Sequence, residues 1–141
     1  MKEQLTSIET AKLAKEKGFN IKTHDYFAKH VYDKKYHEYT GYNDDYWGEN
    51  YEYDWNTNGE PFKPFSKDCY SRPTQSLLQK WLREEHGVDV IILLANTSRH
   101  CYIGEIWQTI KNEPVHSLNL SDSGTYEEAL EKGLQEALKL I

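Results

Sequence analysis

Long apolar runs are missing from this chain of 141 residues. No stretch reaches the roughly eighteen apolar residues that a membrane-crossing helix needs. The opening Met1-Lys2-Glu3-Gln4 lacks the apolar core of a secretory leader, so the cytoplasm is the expected compartment and no membrane partner is expected. Cysteine is scarce too. Cys69 and Cys101 are too few and too far apart for a disulfide framework or a cysteine-built zinc knuckle, and two reduced, partly buried thiols are expected. Leucine, isoleucine, valine and phenylalanine together supply only 29 of 141 residues, a fraction at which disorder competes with folding. Basic residues are outnumbered, 17 against 23 acidic, for a formal charge of -6. That balance offers no general attraction to a phosphate backbone and argues against nucleic acid as the partner. The chain also lacks a Walker A loop, a dinucleotide glycine fingerprint, a His-Glu zinc motif and a Gly-x-Ser-x-Gly elbow. The commonest enzyme classes therefore lose their signatures.

Aromatic residues make up for the missing aliphatics: eleven tyrosines, four tryptophans and four phenylalanines, each able to bury a large area. Most lie between Lys22 and Ser76, where there is no leucine or isoleucine. Tyr26, Phe27, Val31, Tyr32, Tyr36 and Tyr39 fit neither a helical nor a strand period. From Asn43 to Glu60 the acids Asp44, Asp45, Glu49, Glu52, Asp54 and Glu60 occur with no basic residue among them. Tyr51, Tyr53 and Trp55 alternate with Glu52 and Asp54, the period of a half-exposed strand. Asn58-Gly59 marks a turn, and Pro61 and Pro64 favour extended or looped chain.

Three helices are signposted. Thr6 and Glu9 form a capping box, Ile8, Ala11 and either Leu13 or Ala14 make a narrow stripe, and Gly18 with Phe19 closes the helix. Ser71 to Pro73 opens a second helix, with Leu77, Leu78, Trp81 and Leu82 on one face and Gly87 at its end. Thr125 and Glu128 cap a third, with Tyr126, Leu130, Leu134, Ala137 and Ile141 recurring on one side. Between the last two the period changes. Val88 to Ala95 reads as a strand, Asn96 to Ser98 as a turn, and His100 to Ile110 as a strand with Cys101, Ile103, Glu105 and Trp107 on one side and Tyr102, Ile106 and Ile110 on the other. Val115 to Leu120 is a candidate third strand. The expectation is a single two-layer α+β domain over residues 1–141, a short antiparallel sheet of about two to four strands packed against about three helices. The path of residues 21–71 stays open.

At this point the residues carry a likeness. Pro73 to Glu84 (PTQSLLQKWLRE), Thr10 to Phe19 (TAKLAKEKGF) and Tyr126 to Leu134 (YEEALEKGL) resemble uncharacterised small proteins of gut Bacteroides-type bacteria and their phages. The likeness covers about half the chain, and the aromatic, acidic segment at about 21–71 departs most from it. It implies a phage or mobile-element context and supplies no activity or site residues.

No catalytic, cofactor-binding or metal-binding set is expected. His24, Asp25, His30 and Asp33 are close enough in sequence for a metal site, but ordinary surface polarity is the favoured reading. Cys101 cannot meet the neighbouring His100 on a strand, which leaves His86 or His116 as a base for it. A buried structural thiol is the better reading. Glu105 with Glu113 or Asp89 would make a carboxylate pair for hydrolysis, against a solvent-facing or salt-bridged Glu105. Lys80 and Arg83, three apart on one helix flank, are the candidate phosphate contacts, with Arg72 and Arg99 as further bases. Trp47, Tyr51, Tyr53 and Trp55 form the candidate protein-interaction surface, because tyrosine and tryptophan offer stiff contact area and the carboxylates among them suit a basic protein partner. The same surface could pair across a two-fold axis as a homodimer. The alternative to a recognition surface is a substitute core, with rings packed on the sheet and carboxylates in water. The functional expectation is a non-catalytic accessory or protein-interaction protein, with a nucleic-acid-binding module or a small metal-dependent hydrolase as alternatives.

Overall fold

The computed structural model describes residues 3–30, 32–40, 54–58, 68–96, 101–109, 111 and 113–141. The fold is α+β with antiparallel sheets, as expected, and the described strands form two sheets of three. The chain divides into two compact units, Leu5–Pro73 and Thr74–Ile141 with Met1–Gln4.

The first unit opens on α1 (Ile8–Glu16), whose N-cap is Ser7 and not Thr6. The shift has a long-range cause. Thr6 donates both its main-chain N–H and its hydroxyl to the Pro73 carbonyl, at 3.0 and 3.1 Å, so the cap falls to Ser7, whose oxygen accepts from the Thr10 N–H. The helix ends as its sequence predicts. Gly18 takes a left-handed φ of 86°, the Phe19 N–H returns to the Ala14 carbonyl at 3.0 Å, and the Phe19 ring is buried.

The stretch without a clear period forms β1 (Asp25–Lys29) and β2 (Tyr36–Thr40), joined by a hairpin, with β3 (Cys69–Arg72) on the other side of β1. Tyr26, Phe27 and Ala28 are buried consecutively, because both faces of this sheet are covered. On one face lies the single-turn α2 (Trp55–Asn58). Its Trp55 ring stacks on Tyr26 at 3.9 Å and donates from Nε1 to the Thr23 carbonyl at 3.0 Å, in a cluster with Ala28, Cys69 and Tyr39. On the other face Phe27 lies under the Arg72 guanidinium, and Lys12 and Lys15 of α1 lie over the Tyr36 and Tyr70 rings.

The second unit is simpler. Thr74 caps α3 (Gln75–His86) and Gly87 ends it at φ 63°, one step later than the Ser71 to Pro73 start that the sequence suggests, because Ser71 and Arg72 belong to β3. The meander β4 (Val88–Asn96), β5 (Cys101–Gln108) and β6 (Glu113–Leu120) follows, and then α4 (Tyr126–Leu140), capped by Thr125. Val88, Val90 and Ile92 alternate inward, opposite Gln108, Ile106 and Gly104, and α3 and α4 cover that face. Gly104 and Gly133 allow the close approach. A Cβ at Gly133 would stand 2.7 Å from Val90 Cγ1, and one at Gly104 2.9 Å from Leu120 Cδ1.

Candidate functional site

Strand alternation puts the second unit's remaining side chains on the face away from α3 and α4. Asp89, Ile91 and Leu93 project there from β4. They stand opposite Trp107, Glu105 and Ile103 of β5, which face Pro114, Ser117 and Asn119 of β6. A bulge between Ile106 and Trp107 offsets β6 there and leaves Val115 without a partner in the register. The sequence already groups Cys101, Ile103, Glu105 and Trp107 on one side. On that side Leu93 is 49% exposed and Ile103 42%; on the helix side Leu94, towards the end of β4, is also 47% exposed. Leu93 and Ile103 are direct cross-strand neighbours, so their exposed surface is continuous.

The polar groups on this face are ordered. Trp107 donates from Nε1 to Glu105 Oε2 at 2.8 Å, which ties the indole to the carboxylate two residues away. Asp89 receives Arg83 at 3.3 Å from the end of α3. None of β4, β5 and β6 contains lysine or arginine, while Asp89 and Glu105 bring two carboxylates to this face; Glu113 stands opposite Gln108, on the helix side. The face is therefore mixed, with Glu105 in its middle between Ile91 and Ser117 and the Leu93–Ile103 pair beside it.

The residues expected to form the recognition surface stand elsewhere. Trp47, Tyr51 and Tyr53 lie outside the described residues. Trp55 is a correction, since it begins a helical turn and not a strand and is completely buried. The reason is physical: its ring finds a stacking partner in Tyr26 and its N–H finds a carbonyl in Thr23, so its burial leaves no polar group unsatisfied. It belongs to the aromatic substitute core. The candidate phosphate contacts are partly neutralised, Lys80 by Glu84 at 3.8 Å and Arg83 by Asp89. Arg72 binds Glu38 at 2.8 Å and the Thr6 carbonyl at 3.1 Å, and Arg99 is outside the described residues.

The chemical pairings weighed in the sequence are not assembled. His24 stands by Asp25 at 3.8 Å before β1, and His30 stands by Asp33 at 3.7 Å beyond its far end. Among the described residues no three histidine, cysteine or acidic side chains are grouped to hold a metal. Cys101 pairs in register with Asn96, at the opposite end of β5 from the Ile106 that faces His116. His86 lies edge-on to Trp81, and His100 is outside the described residues. Glu105 is engaged by Trp107 and Asp89 by Arg83, while Glu113 faces Gln108.

Two clusters escaped the sequence reading. In the β1–β2 hairpin, Asp33 Oδ1 accepts the Lys35 N–H at 2.9 Å and Oδ2 receives His37 Nε2 at 2.7 Å. The Lys35 N–H first, and His37 after it, hold the Asp33 carboxyl below its ordinary range. A hairpin register, invisible without the turn, is what brings His37 there. The second cluster places Lys12 4.6 Å from the centre of the Tyr36 ring and Lys15 5.0 Å from that of Tyr70. The Lys12–Lys15 spacing on one helix face was its signal. Burial, followed by the hydrogen bond with Tyr36, pushes the Tyr70 phenol upward, with Asp68 and Glu16 adding to the effect.

The fold is α+β, and among the described residues no helix packs on the second face of the β4–β5–β6 sheet. No protein-family model matches it, and neither a curated protein nor a solved structure matches it.

Proposed function

We propose that this chain acts by binding another protein, with the bare face of the β4–β5–β6 sheet as the contact. The observation that carries this reading is the direct Leu93–Ile103 pair, about half exposed on the sheet face away from the two helices. Exposed apolar surface on a rigid sheet favours association, since covering it removes roughly 25 cal/mol per Å² from water. Glu105, with no lysine or arginine in the three strands, favours a partner that offers apolar groups together with a basic one. The resemblance of the α1, α3 and α4 sequences to phage-associated proteins makes a phage or mobile-element accessory role the natural setting.

The test is comparative capture from the lysate of the native host, using the wild type, Leu93→Thr/Ile103→Thr and Glu105→Gln, followed by titration of the purified captured protein. Threonine keeps the strand preference while removing apolar surface. The expected result is one stoichiometric basic protein, retained by the wild type, weakened at least about tenfold by the double variant and released by salt. A partner that binds the double variant as tightly as the wild type would refute the reading.

A further inference from the structure

Arg72, Lys80, Arg83, Lys132 and Lys139 each pair with a carboxylate. Lys12, Lys15 and Lys29 do not: none of the three forms an ion pair among the described residues, and all three turn to the same two rings. Lys12 Nζ lies 4.6 Å from the centre of the Tyr36 ring and 5.8 Å from that of Tyr70. Lys15 Nζ lies 5.0 Å from Tyr70, and Lys29 Nζ 5.8 Å from Tyr36. The fold dictates this gathering. Lys12 and Lys15, three apart, share one flank of α1. Lys29 is the register partner of Tyr36, and Tyr70 stands opposite Phe27, on the same face of β1 as Lys29. The two phenol oxygens meet at 3.5 Å, and all five residues are half-buried. Three like charges at two neutral rings repel one another, and partial burial reduces their screening by solvent. Glu16 and Asp68 act on the Tyr70 phenol, but neither pairs with any of the three lysines.

We propose that Lys12, Lys15 and Lys29, with the hydroxyls of Tyr36 and Tyr70, form a binding site for a phosphate monoester, the dianionic end of a small phosphorylated ligand. The donors suit a tetrahedral oxyanion. Each ammonium carries three N–H donors, of which Lys15 commits one to the Cys69 carbonyl at 2.8 Å, a bond that anchors the side chain and leaves two free. In a bonded pair of phenols one O–H remains to donate outward. Burial first, and the Tyr36 hydrogen bond after it, keep the Tyr70 phenol protonated. Charge selects the monoester. Such a group carries close to two negative charges at neutral pH, which three ammonium groups offset. A phosphodiester carries one charge per phosphate and comes as a polyanion, which a chain of net charge -6 repels. The site belongs to the first unit and does not depend on the protein contact proposed for the β4–β5–β6 sheet.

The experiment is an amide NMR titration of the full chain at constant ionic strength, with methyl phosphate and, separately, dimethyl phosphate. It compares the wild type, Lys12→Gln/Lys29→Gln, Tyr36→Phe and a charge control on α3, Lys80→Gln. Methyl phosphate is expected to bind the wild type with a Kd of about a millimolar, moving the Lys12, Lys29 and Tyr36 amides together, and dimethyl phosphate about tenfold more weakly. The double variant should weaken methyl phosphate by about tenfold or more, and Lys80→Gln should leave it unchanged. Tyr36→Phe keeps the ring under the lysines and removes only a donor, so it should keep the fold and weaken binding by about threefold; it carries the test if the glutamines disturb α1. The absence of a saturable shift at these amides up to about 20 mM methyl phosphate overturns the inference. So does a diester that binds as well as the monoester, an equal loss in Lys80→Gln, or binding that neither the double variant nor Tyr36→Phe changes.

Discussion

In β1 three residues in a row are buried, Tyr26, Phe27 and Ala28, whereas β4 begins by burying every second one, Val88, Val90 and Ile92. The two sheets have the same number of strands and the same antiparallel pairing, yet they are covered differently. Around β1, the α1 side chains take one face and Trp55 the other. Around β5, the two helices take one face and leave Leu93, Ile103 and Trp107 on the second. Consecutive burial marks a sheet used up by its own unit, and alternation marks one with a face to spare. A surface for recognition is therefore sought in the second unit, although the first holds most of the aromatic residues.

The largest effect that would break this comparison is expected from Trp55→Ala. Removing a fully buried indole that stacks on Tyr26 should cost about 3–5 kcal/mol, read in denaturant unfolding and in the loss of amide protection along β1 and β3. A loss below 1 kcal/mol would mean that the ring does not hold that face, and would return Trp55 to the candidate recognition surface. Gly133→Leu comes next. Its side chain would enter the space between α4 and the Val90 and Ile92 side chains, with an expected loss of about 1–3 kcal/mol, visible as a lower midpoint at unchanged m-value. The open face should behave oppositely, with Leu93→Thr and Ile103→Thr each shifting stability by less than about 0.5 kcal/mol. A large loss at either position would show that the face is covered within the chain.

The smallest effect concerns the β1–β2 hairpin. The Asp33 carboxyl is held below its ordinary range by the Lys35 N–H and by His37, so its ionised form supports the turn. That support is complete above the ordinary aspartate range and is lost as the pH falls through the lowered folded value. An NMR titration should therefore show the Lys35 and His37 amides moving together in acid, at a pH below that of a free aspartate. Asp33→Asn should abolish that step. A step that survives the substitution would remove Asp33 from the turn.

The second unit was largely legible because its signals are local. The Thr125 cap and the stripes of Leu78, Trp81 and Leu82 and of Leu130 and Leu134 need only neighbours three or four residues away, and the grouping of Ile103, Glu105 and Trp107 follows from the strand period. What the sequence does not say is which side the helices take. The first unit was harder to read for two reasons. A sheet covered on both faces has no alternation to detect, and its hairpin is closed by the Asp33 carboxylate with Lys34 at φ 58°, where glycine or asparagine would have announced a turn. Thr6 and Trp55 were misplaced through contacts distant in sequence, to the Pro73 and Thr23 carbonyls. Local pattern cannot foresee such partners.

Hydroxyl-radical footprinting of the free protein, comparing Leu93 and Ile103 with Trp55 and Tyr26, tests the contrast between the two sheets most directly. The account predicts that Leu93 and Ile103 oxidise at rates near those of solvent-exposed side chains, while the intrinsically more reactive Trp55 and Tyr26 stay protected until the protein unfolds. Rapid labelling of Trp55 in the native state, or silence at Leu93 and Ile103, would contradict it.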